Sequence, residues 1–342
     1  MSTLDKGTER PLIAVVGGDT LLAREVRSVF EAAKPAPRVK LIAATAGAVD
    51  QKREGGEEGE EHEEETPLLP LSIESLEGSR VVMLAGSPAS SRRALKLNLN
   101  RDAKLIDLTG ALEEQPQARL RGPIAEAITE TPVASAIQVI AHPAAIVLAK
   151  FLTTVSRCSV VRVSLAHIFE PASERGKAGI EELQQQTVAL LRFQKLPTEV
   201  FDDQLAFNVL ARYGEEAREP LEGVEQRAER HLASLLAGWP GVPMPSLRMI
   251  QVPVFHGHSF SVWVEFQTNP GVKALTDTLE RGGFDVRTDH PPSNARMAGE
   301  TGIGAGAIAE DRNNSRAFWF WLTTDNLKLT AENAVAVAQE IL

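Results

Sequence analysis

The sequence contains one cysteine, Cys158, so it can form neither an internal disulfide nor a metal site built from several cysteines. No apolar run approaches the roughly 20 residues that a membrane-spanning helix needs. The first five residues lack the basic and then apolar character of a signal peptide. Basic residues are not clustered, since Arg92 and Arg93 form an isolated pair. We therefore expect a cytoplasmic protein that binds neither membranes nor nucleic acids, with Cys158 packed as a core thiol beside the β-like run 159–163.

Length and composition indicate an ordinary globular protein of about two domains, with 342 residues of which 43% are hydrophobic and 24% charged. Glutamates between positions 54 and 65 supply most of the net charge of -10. Because so acidic a segment cannot bury apolar surface, it predicts a solvated loop.

The first third of the chain alternates strand-like and helix-like stretches. The run 12–16 is continuously apolar, as buried parallel strands are, and a Gly17-Gly18 turn leads into an amphipathic stretch that ends near Phe30. Further apolar runs follow at 40–44, 81–85 and 104–108. This order predicts an α/β, doubly wound, Rossmann-like domain.

The turn after the first strand departs from the glycine pattern of dinucleotide-binding proteins. Thr20 and Ala23 stand at the second and third glycine positions, and Asp19 adds a negative charge beside the expected pyrophosphate. Gly17, Gly18 and Thr20 are the candidate cofactor contacts, but the pattern predicts impaired nucleotide binding.

Several motifs resemble those of the aspartate-semialdehyde dehydrogenase family. The segment beginning at His142 resembles the family's turn N-P-x-C-[ST]-T, and 252–259 resembles its strand R-V-P-V-x-x-G-H-S. Stretches 176–210 and 318–334 also match, the latter the closing D-N-L-x-K-G-A-A segment. The resemblance implies a Rossmann-like domain over 1–134 with the C-terminal helix 325–342 packing back on it, an α+β dimerisation or substrate domain over 135–324, and a homodimer.

The resemblance also indicates which catalytic groups are present. Ala145 stands at the position of the nucleophilic cysteine, and a methyl group can form neither a thiohemiacetal nor an acyl-enzyme. His258 matches the general acid/base. Gln251 replaces the arginine that would bind the substrate carboxylate bidentately. Glu225 keeps the acid of the family's E-x-x-K pair, whereas Ala228 replaces its lysine.

Other positions around the expected site have changed as well. His142 opens the nucleophile turn, and His167 stands where the family has a glutamine. Glu113 replaces a phosphate-binding arginine, and Asn326 lies in the closing segment on the nucleotide side. By resemblance NADP would be the cofactor, although the residues themselves support no definite cofactor.

Three classes of function follow. The replaced residues favour the nucleophile-less, Usg-type branch of the family, a non-catalytic scaffold or regulatory homologue with an unidentified protein partner. The alternative is an NAD(P)-dependent semialdehyde-type oxidoreductase with an altered mechanism, such as direct hydride transfer with His258 as acid. The third is a metal-binding protein with His142, His167 and His258 as ligands, near which His256 and Glu225 would lie.

Overall fold

The computed structural model describes residues 10–44, 68–98, 103–127 and 135–342. The chain divides into two compact units. The first consists of Met1–Arg119, Val133–Ile140 and Ala334–Leu342, and the second of Leu120–Pro132 and Ala141–Asn333. The predicted acidic loop at 54–65 lies outside the described residues.

The first unit is built on a parallel sheet of short, continuously apolar strands. Its strands are β1 (Leu12–Val16), β2 (Arg38–Ile42), β3 (Val81–Leu84), β4 (Lys104–Asp107), β5 (Ala118–Arg121) and β6 (Ile137–Ile140), in the order β2-β1-β3-β4-β6-β5. Its helices are α1 (Leu21–Ala32), α2 (Ile73–Leu76) and α3 (Pro88–Asn98). Strands β1, β2, β3, β4 and β6 pair in parallel, and every residue of β3 and β6 is buried. This is the burial that a doubly wound parallel sheet imposes.

The turn between β1 and α1 is held by backbone and hydroxyl hydrogen bonds. Gly17 has a positive φ of 88°, and its N–H and that of Gly18 both donate to the Ile42 carbonyl, at 2.7 and 3.0 Å. Thr20 is the N-cap of α1: its hydroxyl accepts from the Ala23 N–H and donates to the Ala85 carbonyl. The turn is thus tied to the ends of two neighbouring strands.

The second unit is built on a mixed sheet. Its strands are β7 (Val161–Glu170), β8 (Ser246–Gln251), β9 (His258–Phe266), β10 (Asp285–Arg287), β11 (Gly304–Glu310) and β12 (Ala317–Thr324), in the order β10-β11-β12-β9-β7-β8. Its helices are α4 (Pro143–Val155), α5 (Gly176–Leu191), α6 (Leu221–Leu236), α7 (Val272–Arg281), α8 (Asn294–Met297) and α9 (Asn326–Ile341), whose last residues belong to the first unit. The central pairs β7–β9, β9–β12 and β11–β12 are antiparallel.

The two faces of this second sheet differ. On the inner face, alternate residues such as Ile168, Phe260 and Phe320 are buried, and Phe151 of α4 packs edge-on against Phe320 with ring centroids 4.9 Å apart. On the outer face Val163, Trp263 and Trp319 are half-exposed or exposed, as the alternation of side chains along a strand requires, whereas Ser259 and Thr323 at the strand ends are buried. The helix α4 is buried along almost its whole length.

The predicted fold class is confirmed: a Rossmann-like parallel sheet is joined to a second mixed α/β unit. Strand β6 belongs to the first unit and Leu120–Pro132 to the second. The boundaries between the two units therefore differ from the predicted domain border at 134/135. That border stays a prediction. In the described residues no helix is both long and apolar enough to cross a membrane.

The prediction for Cys158 was wrong. Cys158 lies in the turn after α4, where its N–H donates to the Val155 carbonyl, and its side chain is half-buried rather than part of the core. The following strand β7 begins only at Val161. The thiol is only half-buried because Cys158 lies in a polar turn, before the apolar strand begins.

Gly17 is expected to be indispensable for the first unit. A Cβ at Gly17 would lie 2.3 Å from the Gly86 Cα, and its φ is in the left-handed region. We expect Gly17→Ala to lower the free energy of unfolding by about 2–4 kcal/mol, measured by urea denaturation. Gly78→Ala is the matched control in the same unit, because Gly78 also has a positive φ but a Cβ there would meet only the Leu12 Cδ2, at an ordinary contact distance of 3.8 Å. It should cost about 1–2 kcal/mol; equal losses in both variants would contradict the role of the close approach.

Candidate functional site

The amino terminus of α4 is fixed by His142. Pro143 occupies the first helical turn and restrains the residue before it to non-helical geometry, which suits an N-cap. The His142 Nδ1 accepts the Ala144 N–H at 3.2 Å, and the His142 N–H donates to the His231 Nδ1 at 2.9 Å. Ala145 follows in this first turn and is 1% exposed. The position predicted for a nucleophile is therefore a buried methyl group.

A second histidine meets a buried carboxylate on the inner face of the second sheet. Glu170 ends β7 and His258 begins β9, and both are fully buried. The His258 Nε2 and the Glu170 Oε2 are 2.7 Å apart. The neighbouring pair Phe169 and Ser259 is in antiparallel register, so Glu170 and His258 lie side by side on the same face.

The Glu170 carboxylate has a second partner, Arg175. The Arg175 Nη2 donates to the Glu170 Oε1 at 3.1 Å, and its Nη1 donates to Glu219 at 3.0 Å. Its guanidinium also lies over the Tyr213 ring. Both oxygens of Glu170 are thus held by cationic or hydrogen-bonding groups, which is what a fully buried carboxylate requires.

Gln251 completes the framework behind Glu170. Its Oε1 accepts the Tyr213 hydroxyl at 2.5 Å, and its Nε2 donates to the backbone carbonyls of Glu170 and Val252. Burial raises the pKa of Tyr213 to about 12, so the phenol stays protonated and donates. The amide therefore positions the backbone of β7.

Glu174 is the other carboxylate of the site. It lies in a 3₁₀ turn, Ala172–Arg175, and its Oε1 accepts the Asn326 Nδ2 at 2.7 Å. The Asn326 Oδ1 accepts from the Ser173 hydroxyl and from the Gly257 N–H. One asparagine at the start of α9 thus ties the 3₁₀ turn to the segment that leads into β9.

A gap separates Glu174 from both histidines. The Glu174 Oε2 is 3.9 Å from the His142 Nε2, and its Oε1 is 3.9 Å from the His258 Nδ1. The two imidazole rings lie edge to face with centroids 5.7 Å apart. Neither of these nitrogens has a hydrogen-bond partner among the residues that the structure describes. We call His142, Glu170, Glu174 and His258 the acid–base cluster.

The histidines of the acid–base cluster have opposite pKa shifts. Burial, with the positive charge of His258 next in weight, holds the pKa of His142 well below 6.5. Burial also acts to lower the pKa of His258, but the hydrogen bond and charge of Glu170 outweigh it and raise that pKa above 6.5. Burial and the charge of Glu170 raise the pKa of Glu174. The cluster therefore pairs an imidazole that favours its neutral form with one that favours its protonated form, an arrangement suited to acid–base chemistry.

The predicted histidine triad is not assembled. His167 is half-buried on the outer face of β7, opposite Ser261, because it is three residues from Glu170 and side chains alternate along a strand. The Glu225 carboxylate is also elsewhere: it accepts from the Met249 N–H and from Arg248 at the edge strand β8. Ligand atoms of His142, Glu170 and Glu174 instead lie within 4.8 Å of one another.

The predicted cofactor contacts have structural partners. The N–H groups of Gly17 and Gly18 are bound by Ile42, and the Thr20 hydroxyl caps α1. The amide of Asn326 is bound by Ser173, Gly257 and Glu174 within the second unit. Phosphate binding at a helix amino terminus depends on free N–H groups, so these bonds weaken the case for a nucleotide.

Two residues of the acid–base cluster were missed in the sequence. Glu170 and Glu174 stand just beyond the run 159–163 and beside a proline, where they read as loop residues. The alternation of Ser164, Ala166 and Ile168 would have placed Glu170, and not His167, on the inner face. Nothing local in the sequence indicates that Glu174 faces His142.

Comparisons with known proteins agree on one family. Residues 167–329 match the family model described as semialdehyde dehydrogenase, dimerisation domain. The chain is 26% identical to an aspartate-semialdehyde dehydrogenase of Rickettsia bellii, covering 98% of each chain. It is also 26% identical to a USG-1 protein homolog of Azotobacter vinelandii, covering 96% of this chain and 97% of that one.

Solved structures share the fold. A probable aspartate-semialdehyde dehydrogenase from Pseudomonas aeruginosa has a TM-score of 0.79 at 23% identity, over 97% of this chain and 98% of that chain. Aspartate semialdehyde dehydrogenase II of Vibrio cholerae, complexed with ASA, has a TM-score of 0.78 at 20% identity, over 97% and 98%. Similarity at this level of identity establishes the common architecture.

Glu170→Gln is expected to reveal the charge of His258 through pH dependence. The pKa of His258 is raised above 6.5, so the stability gained from its pairing with Glu170 is full below that pH and is lost as pH rises through the folded pKa. The variant should be about 3–5 kcal/mol less stable at low pH, and the difference should shrink as pH rises. Urea denaturation between about pH 5.5 and 8.5 measures this difference.

A surface variant provides the control for this measurement. Asp277→Asn removes the partner of Lys273, whose side chain is 87% exposed. It should change stability by less than about 1 kcal/mol. A constant Glu170→Gln difference across the pH range would show that His258 does not hold a proton in the folded state.

Proposed function

The chain is a homologue of the aspartate-semialdehyde dehydrogenases and of the USG-1 proteins, and from this premise we propose that it works without the family's covalent thiol chemistry, as a non-catalytic or regulatory homologue. The observation that carries the proposal is Ala145, a buried methyl group in the first turn of α4. Without a thiol there, no covalent bond to an aldehyde can form.

No other thiol can replace it. Cys158, the single cysteine of the sequence, lies beyond the opposite end of α4. The helix from Ala145 to Val155 alone spans about 15 Å at a rise of about 1.5 Å per residue. The position of Cys158 therefore supports a site without nucleophilic sulfur.

The surroundings of Glu170 also favour the loss of the family reaction. Gln251 is neutral, and both ends of its amide are bound to Tyr213 and to backbone carbonyls. The nearby guanidinium of Arg175 is already paired with Glu170 and Glu219. A carboxylate substrate would have to displace one of these buried pairs to gain a charge-assisted contact.

We expect the purified chain to show no phosphate-dependent reduction of NADP with aspartate semialdehyde above an enzyme-free blank. Ala145→Cys should also stay at the blank rate, because restoring the thiol leaves Gln251 neutral. The assay follows NADPH absorbance. Turnover by the unaltered chain that His258→Ala abolishes would contradict the proposal and favour the oxidoreductase with an altered mechanism.

Nucleotide titration separates these two functions independently of turnover. Calorimetry with NADP should give no binding in the micromolar range, which corresponds to roughly 8 kcal/mol. Binding of that strength would support the oxidoreductase alternative, since a scaffold has no need of it.

We further propose that the chain forms a homodimer through the outer face of the second sheet. Trp263 and Trp319 on this face lie within the matched dimerisation domain, residues 167–329, and the face carries further apolar groups. Val163 is 51% exposed and Trp319 38% exposed, and Trp263 pairs with Trp319 across β9 and β12. Both indole N–H groups donate to Asp311, which leaves the flat faces of the rings for contact.

Val163→Lys is expected to convert the dimer into monomers at micromolar concentration. A charge buried in an apolar interface costs several kcal/mol, and the cross-strand neighbour Glu265 is already paired with Arg316. Light scattering after gel filtration measures the mass. Leu191→Lys, at a 71% exposed position on α5, is the control that should stay dimeric. A dimer that survives Val163→Lys would place the interface elsewhere.

A further inference from the structure

Lys150 of α4 carries a positive charge in surroundings that do not balance it. The helix is buried along almost its whole length, and Lys150 is half-buried on it. Its Nζ lies 5.8 Å from the centroid of the Phe284 ring. Among the described residues no carboxylate pairs with this ammonium group, and it donates no hydrogen bond. The exposed lysines Lys177 and Lys273, in contrast, each pair with a carboxylate one helical turn further on.

Arg157 adds a second positive charge near Lys150. It follows about two helical turns later, and its guanidinium lies 5.7 Å from the centroid of the Trp239 ring. Arg157 is exposed, and it too lacks a carboxylate partner in the part of the chain that the structure describes. Burial first, and then the charge of Arg157, lower the pKa of Lys150 below 10.5. This lysine therefore releases its proton more readily than an ordinary surface lysine does.

The space beside the amine is open on one side. Gly283 precedes Phe284, and a Cβ built on it would lie 3.8 Å from the Lys150 Nζ, an ordinary contact distance. Apart from atoms of its chain neighbours, this Cβ would meet no other described heavy atom within 4 Å. A group of the size of a methyl can thus lie next to the amine without displacing a neighbour.

The charges near Lys150 decide which electrophile its neutral amine suits, since a neutral amine is a nucleophile. Acylation would give a neutral amide and an aldehyde would give an imine, so neither adduct forms an ion pair with Arg157. Carbon dioxide gives a carbamate, which is an anion, so the repulsion between Lys150 and Arg157 is replaced by attraction. Carbon dioxide is also small and uncharged, so its entry into a half-buried site requires no charge to be desolvated.

We propose that Lys150 is a site of carbamate formation, at which its neutral amine reacts reversibly with carbon dioxide. The nitrogen lone pair forms the new N–C bond, one C=O π bond opens to give the carboxylate, and the proton leaves nitrogen for water. Nothing is oxidised or reduced. The carbamate accepts hydrogen bonds from Arg157, and part of it fills the space beside Gly283. The site goes beyond the proposed function, because it depends neither on a nucleophilic sulfur nor on the dimer.

Trapping of the carbamate identifies the modified lysine. The full chain is equilibrated with heavy-isotope bicarbonate at mildly alkaline pH, carbamates are ethylated with triethyloxonium, and the peptides are analysed by mass spectrometry. The heavy ethyl carbamate is expected on Lys150 at several times its occupancy on Lys177 and Lys273. The hydrogen bond and charge of Asp277 raise the pKa of Lys273, which keeps that amine protonated despite its greater exposure. Equal or lower occupancy on Lys150 overturns the proposal.

Arg157→Gln tests the cation that stabilises the carbamate. Without the guanidinium, the occupancy on Lys150 should fall several-fold, because the carbamate loses its partner. Arg192→Gln, at another exposed arginine just beyond the end of α5, is the control and should trap as much carbamate as the unaltered chain. Occupancy on Lys150 that is the same in both variants overturns the site.

The melting temperature gives a second readout that does not depend on trapping. Bicarbonate should raise the Tm of the unaltered chain, as any ligand of the folded state does, and should leave the Tm of Lys150→Arg unchanged. The arginine variant keeps the positive charge but cannot form the carbamate. An equal shift in both chains, which a general salt effect would produce, overturns the proposal.

Discussion

The second unit depends on one buried carboxylate, that of Glu170. It ends β7, pairs with His258 at the start of β9, and accepts from Arg175 in the turn that follows β7. A fully buried carboxylate is tolerated only when both of its oxygens accept hydrogen bonds. The contacts of Glu170 with His258 and with Arg175 must therefore form together. Because Arg175 also binds Glu219, the same carboxylate fixes the segment that leads into α6.

This constraint explains how the side chains of the acid–base cluster are positioned. Glu170 orients the His258 ring, and the α4 cap orients the His142 ring. Glu174 is held by Asn326 rather than by either histidine, so the 3.9 Å gaps persist between groups whose positions are set from behind.

Ala145, at the position predicted for a nucleophile, fits the same picture. Its methyl group packs in the first turn of a helix that is buried along almost its whole length. Pro143 and the His142 cap fix this turn, so a methyl group is held in a defined position beside the polar groups of the acid–base cluster.

The sequence by itself determined the strand and helix order and the Rossmann-like first unit, and it pointed to Ala145 and His258 as site positions, because apolar periodicity and local motifs are formed by consecutive residues. Only the tertiary structure decided that Glu170 and Glu174, and not His167, stand beside His142 and His258. A one-residue difference in strand parity moves a side chain to the other face of a sheet. The approach of Glu174 to His142 joins elements that are distant in the chain, and no local pattern specifies such a contact.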